Sequence, residues 1–402
     1  MVLPSRNKRS YIVFVNVCRW SLALVMMLSG FLKAVDPVGS MYKLQEYASV
    51  FSLSYISDDW LQAAAVAQAA VEFLIGLYLL VGIYRCVVPL MALVAMLLFT
   101  PISLYLWADG AVSDCGCFGE SITMSNRATF IKNVILLVIA VVAFKGRRAF
   151  VRNMSCRTRW ILVLFSAVYI FAMQAVAINH LPLVDYGSYA VGSDLRSKVG
   201  PAPDGGIPEI DNFSIIDWGS DVEMADELLA DTGYVCIVPI ESVETASVTH
   251  IDRINDLYEY CTANGIRFCA ASSSGEDGLS LWVKRTGAEY PVYWADGAMM
   301  RSMVRSNPGL VMLKNGVIVG KWAAADIPGG EEIENSSLPM FDTMNLSKGK
   351  EGVWIFWVIV LVGTLVLLSM LDVALSAVGK RKSKKVATVD ETVQPGETIE
   401  NK

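Results

Sequence analysis

The sequence has little charge and almost no histidine. Only 18% of its 402 residues are charged, against about 25% in an ordinary soluble domain. The hydrophobic share is 54% and the mean hydropathy is +0.46, a balance that predicts a membrane protein. The net charge of −6 is mild, and the basic residues cluster in short runs beside apolar segments. Nothing in this pattern favours nucleic-acid binding.

Cysteine is too sparse for a disulfide scaffold, and no removable signal peptide is predicted. Eight cysteines in 402 residues each need their own interpretation. The first apolar run is too long for a signal peptide and lacks a small-residue cleavage site. We therefore predict that it is retained as a transmembrane helix.

Six apolar runs are long enough to cross a bilayer, which takes about 20 residues. Five of them precede residue 180, one follows much later, and the fourth is the shortest, with the least defined ends. The runs are 11–35, 61–84, 87–107, 130–144, 160–178 and 353–378.

Lysine and arginine fall on one side of the membrane if these six helices alternate in direction. The basic segments are "RNKR" before the first helix, Arg85, "KGRRAFVRN" and "CRTR" after the fourth, and "KRKSKK" after the sixth. The positive-inside rule makes this side cytoplasmic. We predict a bacterial inner-membrane protein with cytoplasmic termini and with residues 181–350 in the oxidising periplasm, where disulfides persist.

The segment 181–350 is predicted to form one α/β domain. The stretches "GYVCIVPI" and "IRFCAASS" are typical of buried strands, and "THIDRINDLYEYCTANG" is typical of a helix. Near the end, "NPGLVMLKNGVIVGKW" contains two apolar runs joined by Asn315-Gly316, a strong hairpin signal. This order of elements resembles a thioredoxin-like domain over about 234–325, and the resemblance implies that Pro308 lies beside its active-site position.

The cysteines depart from the thioredoxin pattern. Where that fold carries Cys-x-x-Cys, this chain has "ESVETASVTH", while Cys236, Cys261 and Cys269 fall inside predicted elements and are expected to be buried structural residues. The domain is therefore predicted to bind or position a partner. Arg301 and Arg305 lie four residues apart and form either a contact for an anionic partner or a solvated helix face.

The first four helices resemble the DoxX/MauE family of small membrane proteins. The resemblance covers about 11–148 and depends on "SGFLKAVDP", "AAVEFLIGLYLLVGIYR" and "SDCGCFG", in that order. It implies disulfide formation in an exported protein, or quinone-linked sulfur oxidation. It also implies a set of functional residues: Cys115, Cys117, Glu72, Lys33 and Asp36.

The segment "SDCGCFGE" leaves three interpretations open. As a redox pair, Cys115 and Cys117 would close a small strained ring of the labile kind, eased by Gly116, and a membrane quinone would re-oxidise it. Asp114 would repel a neighbouring thiolate or accept a proton. The cysteines would otherwise shape a tight turn or form part of a metal site. A metal needs three or four ligands, and with only two histidines and no second cysteine pair nearby we predict none.

Two ionisable residues, Arg19 and Glu72, fall near the middle of predicted membrane helices. An ionisable group at that depth is costly and normally faces a partner or a cavity, so we predict an Arg19–Glu72 pair. The pair would either fix helix packing or belong to a proton or quinone pathway. Lys33 is nearer the helix end and is expected to snorkel. The small residues of "LQAAAVAQAAVEFLIG" predict close helix packing.

Together these features predict an α-helical membrane bundle of four plus one helices, an inserted α/β thioredoxin-like periplasmic domain, and a sixth helix. The function we expect is a thiol–disulfide carrier that passes electrons from exported protein thiols, or from a periplasmic redox protein, to a quinone. The alternative is a non-catalytic scaffold that docks a periplasmic partner. The predicted segments are a cytoplasmic N-terminus 1–10, the DoxX/MauE-like bundle 11–148, a loop and fifth helix 149–180, the periplasmic domain 181–350, the sixth helix 351–379, and a disordered tail 380–402.

Overall fold

The computed structural model describes most of the chain. The described residues are 6–110, 116–120, 122, 124–151, 154–155, 158–200, 208–211, 213–330 and 353–392.

The described part of the chain contains helices, short 3-10 turns and strands. The helices are α1 Arg6–Val35, α2 Pro37–Val50, α3 Asp58–Val81, α4 Val87–Asp109, α5 Asn126–Lys145, α6 Arg159–Asn179, α7 Leu195–Val199, α8 Ala225–Ala230, α9 Ile251–Ala263, α10 Glu276–Thr286, α11 Gly297–Met303 and α12 Val353–Thr392. The strands are β1 Cys117–Glu120, β2 Ile215–Asp217, β3 Val222–Glu223, β4 Tyr234–Ile240, β5 Arg267–Ser272, β6 Val292–Ala295, β7 Gly309–Lys314 and β8 Val317–Ala323.

Six of the helices are long and apolar enough to cross a membrane: α1, α3, α4, α5, α6 and the first part of α12. They correspond to the six predicted runs, and the short fourth run extends at both ends into α5. Helix α12 continues to Thr392, into the tail that we predicted to be disordered. No glycine or proline interrupts 380–392, so the backbone carries no signal that would end the helix there.

Helix α2 lies between the first two predicted membrane runs, where no helix was predicted. Its start is specified locally, because Asp36 Oδ1 accepts a hydrogen bond of 2.8 Å from the Gly39 amide and Pro37 occupies the first turn. A carboxylate N-cap followed by proline is a strong helix start. With 14 residues, α2 is too short to span a bilayer, and it packs against α3.

The bundle core depends on close contact between α1 and α3. A Cβ atom at Gly30 would lie 2.3 Å from the Phe73 amide nitrogen, and one at Gly76 would lie 2.3 Å from the Met27 amide nitrogen. Each glycine therefore lets the backbone of the other helix approach. Ala69 contacts Gly30 from the predicted small-residue stretch, which confirms the predicted close packing.

A separate domain, which we call the sheet domain (residues 181–330), contains a seven-stranded mixed sheet in the order β3-β2-β6-β5-β4-β7-β8. Strands β4, β5 and β6 are parallel, and the other pairings are antiparallel. The predicted hairpin is confirmed, since Asn315 and Gly316 join β7 to β8 with φ of 53° and 74°. The peptide bond between Asn307 and Pro308 is cis.

Both faces of this sheet are covered. Alternate residues of β4 point to opposite cores, with Ile237 on one side and Val238 on the other. Helices α8 and α11 cover the first face, and α9 and α10 cover the second. The residues of β4 after Tyr234 are all buried, as expected for a central strand.

We predict that Gly76→Ala destabilises the bundle although alanine is the better helix former. The propensity gain is about 1 kcal/mol, whereas the new methyl would clash with the backbone of α1, and overpacking typically costs about 1–3 kcal/mol. The thermal unfolding midpoint of the protein in mild detergent should fall. Gly363→Ala in α12 is the matched control, because no atom lies within 4 Å of its Cβ position. An equal rise in both variants would contradict the close approach.

Candidate functional site

The described part of the cysteine loop, residues 116–120, packs against the bundle. Strand β1, which begins at Cys117, lies against α1. The backbone carbonyl of Cys117 accepts a hydrogen bond of 2.6 Å from the Ser29 hydroxyl. Ser29 lies six residues before the end of α1, which is about 9 Å along the helix axis. Of the other predicted loop residues, Cys115 and Asp114 lie outside the described residues.

The loop has a conformation that requires glycine. Gly116 has φ of +54°, in the left-handed region, and a Cβ atom there would lie 3.1 Å from Cγ of Lys43 on α2. Lys132 of α5 lies 4.4 Å from the ring centroid of Phe118, in cation–π geometry. The loop is therefore held between α2 and α5.

A buried ion pair lies beneath the loop. Lys33 Nζ is 2.8 Å from both carboxylate oxygens of Glu72, and only 9% and 5% of the two side chains is exposed. Gln68, one turn away on α3, donates a further hydrogen bond of 2.9 Å to Glu72 Oε1. The expectation that Lys33 snorkels is wrong, because its side chain turns inward to the carboxylate.

The predicted Arg19–Glu72 pair is also wrong. Arg19 is fully buried at the other end of the bundle, where it donates a hydrogen bond of 2.9 Å to the Val151 carbonyl and lies 5.1 Å from the Phe150 ring centroid. Lys33 lies fourteen residues further along α1. It is therefore on the same helix face as Arg19 but at a different depth in the bundle. The partner of Glu72 is therefore Lys33, not Arg19.

Ser29 connects the ion pair to the loop. Its hydroxyl lies 2.6 Å from Glu72 Oε2 as well as from the Cys117 carbonyl oxygen, and Lys33 Nζ approaches it to 3.2 Å. A buried side-chain network with two charged members is electrostatically strong because little water screens it.

A cavity of about 170 Å³ opens beside this network. Its polar lining includes Lys33, Glu72 and Cys117, together with Lys43, Gln68, Lys132 and Asn133. Its apolar lining includes Met26, Met96, Phe99, Ile102 and Leu136. A small polar set within an apolar wall is the usual composition of a small-molecule site.

The sheet domain contacts α2 through a cluster centred on Tyr42. The Tyr42 hydroxyl donates a hydrogen bond of 2.9 Å to Glu241 Oε2, and Arg301 pairs with the other oxygen of Glu241 at 3.0 Å. Arg305 pairs with Asp36 at 3.2 Å. The guanidinium carbons of Arg301 and Arg305 lie 5.4 and 5.7 Å from the Tyr42 ring centroid. Burial, with the nearby Glu241 charge, raises the pKa of Tyr42.

The contacts of this cluster decide between the two expectations for Arg301 and Arg305, an anionic-partner contact or a solvated helix face. The solvated face is wrong, because both side chains contact acidic groups and the Arg305 side chain is only 8% exposed. The acidic groups belong to the same chain. Pro308 lies near this interface, since its neighbour Asn307 donates a hydrogen bond of 3.1 Å to the carbonyl of Ser242, next to Glu241.

The three cysteines of the sheet domain are buried, as predicted. Cys236 and Cys261 place their sulfur atoms 3.9 Å apart, and Cys269 lies in the neighbouring strand. The contact with Cys261, together with burial, raises the pKa of Cys236, and burial raises the pKa of Cys269 to about 12. Among the described residues, no group of three or more His, Cys, Asp or Glu side chains is placed to hold a metal ion.

Several residues of the site were not identified from the sequence. Ser29 and Lys33 are one turn apart on α1, and Gln68 and Glu72 are one turn apart on α3, so each pair shares a helix face. This spacing was available as a signal. Tyr42 and Glu241 carried none, because their contact joins segments 199 residues apart.

The comparisons with known proteins concern the bundle. Residues 11–146, about one third of the chain, match the family model described as methylamine utilisation protein MauE. No curated protein and no solved structure matches the chain. The segment 11–146 is thus similar to the MauE family, and with its six apolar helices the chain is a multi-pass membrane protein.

We predict that Glu72→Leu is strongly destabilising and that Lys33→Met in the same chain restores part of the loss. Removing one partner leaves a buried charge without compensation, which costs about 3–5 kcal/mol, whereas an apolar replacement of both is often nearly neutral. The free energy of unfolding in detergent would measure this. As a control, Glu46→Leu breaks the more exposed Lys43–Glu46 pair and should change stability by less than about 1 kcal/mol. Equal losses for both variants would contradict the buried character of the first pair.

We also predict that the sheet-domain thiols resist alkylation at pH 8 in the folded protein. A thiol with a pKa of about 12, such as that of Cys269, is roughly one part in 10⁴ thiolate at that pH, and the thiolate is the reactive species. Mass spectrometry after maleimide treatment should find Cys236 and Cys269 modified only when the protein is denatured first. Cys86, which is exposed, serves as the reactive control. Rapid labelling of Cys269 in folded protein would contradict this burial.

Proposed function

We propose that this protein is a thiol–disulfide carrier in which Cys115 and Cys117 alternate between dithiol and disulfide. An exported protein dithiol would reduce the Cys115–Cys117 disulfide and become a disulfide itself, with two electrons transferred. The observation that carries the proposal is the position of Cys117 at an apolar cavity that also contains the Lys33–Glu72 pair. A loop serving only as a turn would not require a buried charged pair beside it.

The residues around the cavity fit a quinone as the electron acceptor. An engineered apolar cavity of roughly 150 Å³ accommodates benzene, so a cavity of about 170 Å³ has room for one six-membered ring. The apolar wall that includes Phe99 and Met96 would contact the ring, and the Lys33 ammonium would donate to a ring carbonyl. When bound, a quinone would accept the two electrons and two protons that the dithiol loses. In the dithiol state, Lys33 and Lys132 would supply positive charge near a developing thiolate.

The proposed orientation follows from the distribution of basic residues. The start of α1, which carries Arg6, and the connection between α3 and α4, which carries Arg85, would face the cytoplasm by the positive-inside rule. The cysteine loop and the sheet domain would then lie on the periplasmic side of a bacterial inner membrane. That compartment is oxidising, which a carrier of disulfides requires.

The sheet domain would position the thiol partner rather than exchange disulfides itself. Its strand order β8-β7-β4-β5, with β4 and β5 parallel, is what a thioredoxin-like core has, and it supports that likeness as a proposal. The position after β4 where such a core carries a reactive cysteine is occupied by Glu241, which accepts a hydrogen bond from Tyr42. The three buried thiols of this domain are not accessible to a partner.

The contact between the sheet domain and α2 favours a second candidate, a non-catalytic scaffold. The end of the sheet beside Pro308 is covered by α2, so the domain is built as a fixed part of the molecule. In this alternative the cysteines would only shape the loop, and a periplasmic partner would dock elsewhere on the sheet domain.

Thiol trapping separates the two candidates. Intact cells with and without quinone depletion would be treated with acid and then with a mass-shifting alkylating reagent. In a carrier, Cys115 and Cys117 should be mainly disulfide in quinone-replete cells and mainly dithiol after depletion. Replacing both with serine should abolish oxidation of exported thiols and leave the protein folded.

Cys86→Ser is the matched control, because this exposed cysteine lies at the opposite end of the bundle from the loop. It should change neither the trapped state nor the activity. A trapped state that ignores quinone depletion would favour the scaffold. A membrane-impermeant maleimide that never reaches the reduced loop in spheroplasts would contradict the proposed orientation.

A further inference from the structure

We propose that the end of the bundle opposite the cysteine loop binds an anionic phospholipid. The phosphate group would lie in a pocket lined by arginines, and an acyl chain would lie in an apolar groove that adjoins the pocket. This second site is separate from the thiol chemistry of the proposed function. It is inferred from two neighbouring cavities of opposite character, one basic and one apolar.

The basic pocket has a volume of about 540 Å³, within the range of small-molecule sites. It opens between the connection from α3 to α4 and the segment that leads from α5 into α6. Its lining includes four arginines, Arg85, Arg147, Arg148 and Arg159, and no aspartate or glutamate is among the described residues that line it. The planar guanidinium group matches the oxygen atoms of a phosphate in a bidentate arrangement.

The positive-inside rule alone does not account for this pocket. That rule requires basic residues on one side of the membrane but does not require them to share a cavity. Arg9 and Lys145 lie at the same end of the bundle, are exposed, and are outside the pocket lining. The lining arginines, in contrast, come from three separate segments of the chain and converge on one space.

The contacts of the arginines orient them without neutralising their charge. The guanidinium carbon of Arg159 lies 4.5 Å from the ring centroid of Tyr84, and Arg147 donates a hydrogen bond of 2.8 Å to the Phe144 carbonyl. Both contacts are with uncharged groups, so the positive charge remains available to an anion.

One carboxylate lies near the pocket. Asp372 of α12 accepts hydrogen bonds from the amide of Ser155, a lining residue, at 3.1 Å and from the Thr158 hydroxyl at 2.5 Å. A single carboxylate does not balance four guanidinium groups. The pocket therefore has an excess of positive charge.

A fifth arginine lies directly behind the pocket. Gly82 belongs to the lining, and a Cβ atom there would lie 2.6 Å from Nη1 of Arg19, which is fully buried. Among the described residues, Nε and Nη2 of Arg19 have no hydrogen-bond partner. A buried charge without a paired group is costly. An anion in the pocket would offset part of this cost.

The apolar groove continues from the pocket along the outside of the bundle. It has a volume of about 450 Å³ and lies between α1, α3 and α12. Its lining residues are Trp20, Leu24, Leu80, Val81, Met154, Leu365 and Ser369. Met154 lines both cavities, and Val81 of the groove is followed in the chain by Gly82 of the pocket.

The two cavities together favour a lipid over a soluble phosphate compound. A phospholipid carries its anionic group and its hydrocarbon chains in one molecule, whereas a soluble phosphate compound has no group to occupy the groove. Leu24 is 53% exposed, so the groove opens towards the hydrocarbon from which a lipid chain would enter. Basic pockets between membrane helices on the cytoplasmic side are known binding places of acidic headgroups.

The bound lipid would also connect α12 to the rest of the bundle. Helix α12 is the least buried of the six spanning helices, and it contributes Leu365 and Ser369 to the groove. An acyl chain in the groove would contact α12 on one side and α1 and α3 on the other.

Native mass spectrometry of the full-length protein in detergent tests the basic pocket. The protein would be titrated with phosphatidylglycerol and, separately, with phosphatidylcholine of the same acyl chains. One phosphatidylglycerol should be retained per protein, about fivefold more tightly than phosphatidylcholine, because the two lipids differ by one net charge. Arg148→Gln should weaken phosphatidylglycerol binding about fivefold. Lys145→Gln is the matched control, since it removes the same charge from an exposed side chain three residues away, and it should change nothing.

A second pair of variants tests the groove. Leu24→Trp places an indole ring where the acyl chain would lie, so it should weaken binding of phosphatidylglycerol. Leu28→Trp is the matched control, because Leu28 is one turn further along α1, is 46% exposed, and is outside the groove lining. The two variants carry the same substitution on the same helix and differ only in their position relative to the groove.

Three results would overturn the inference. The first is equal retention of phosphatidylglycerol and phosphatidylcholine by the wild-type protein. The second is an equal loss in Arg148→Gln and Lys145→Gln, which would indicate a general effect of surface charge. The third is displacement of the lipid by glycerol phosphate at equal concentration together with unchanged binding in Leu24→Trp, which would make the pocket a site for a soluble phosphate ester. None of these measurements depends on the cysteines, so the carrier proposal stands or fails separately.

Discussion

The arrangement of the bundle depends on keeping a lysine and a glutamate together away from water. Neither Lys33 nor Glu72 would be stable alone in that position, since the desolvation of an unpaired charge costs several kcal/mol. Their oxygen and nitrogen atoms can meet at 2.8 Å because Gly30 and Gly76 let α1 and α3 approach at backbone distance. The pair thus fixes the register of the two helices. Once the register is fixed, Ser29 is positioned to hold the cysteine loop.

Helix α2 extends this constraint to the sheet domain. Neighbouring residues of the helix serve the two sides: Tyr42 contacts Glu241 and two arginines of the sheet domain, and Lys43 packs on Gly116 of the cysteine loop. Because α2 is a rigid helix that contacts both the sheet domain and the cysteine loop, the position of the sheet domain can affect the geometry of the loop. The sheet domain is therefore mechanically connected to the loop without contributing a thiol.

The sequence was sufficient for features that depend on local pattern. The six apolar runs, the Asn315-Gly316 hairpin and the buried cysteines follow from hydrophobic length, turn chemistry and alternation, and they are confirmed. The match of residues 11–146 to the MauE family was anticipated from three short motifs. The partner of Glu72 was predicted wrongly, because Arg19 and Lys33 lie on one face of α1 and only the packing of α3 against it selects Lys33. Helix α2 was missed because its 14 residues are mostly polar or small and its cap depends on a single aspartate.

Asp36 has two roles that are separated in time during synthesis. It caps α2 through local contacts, and it also receives Arg305, which lies 269 residues later in the chain. The ribosome therefore delivers the cap long before the guanidinium exists. The platform for the sheet domain can form while that domain is still being translated, and the late arginine then has a ready-made acceptor. Maturation of this protein can accordingly proceed from the first membrane helices outward, with the docking of the folded sheet as its closing event.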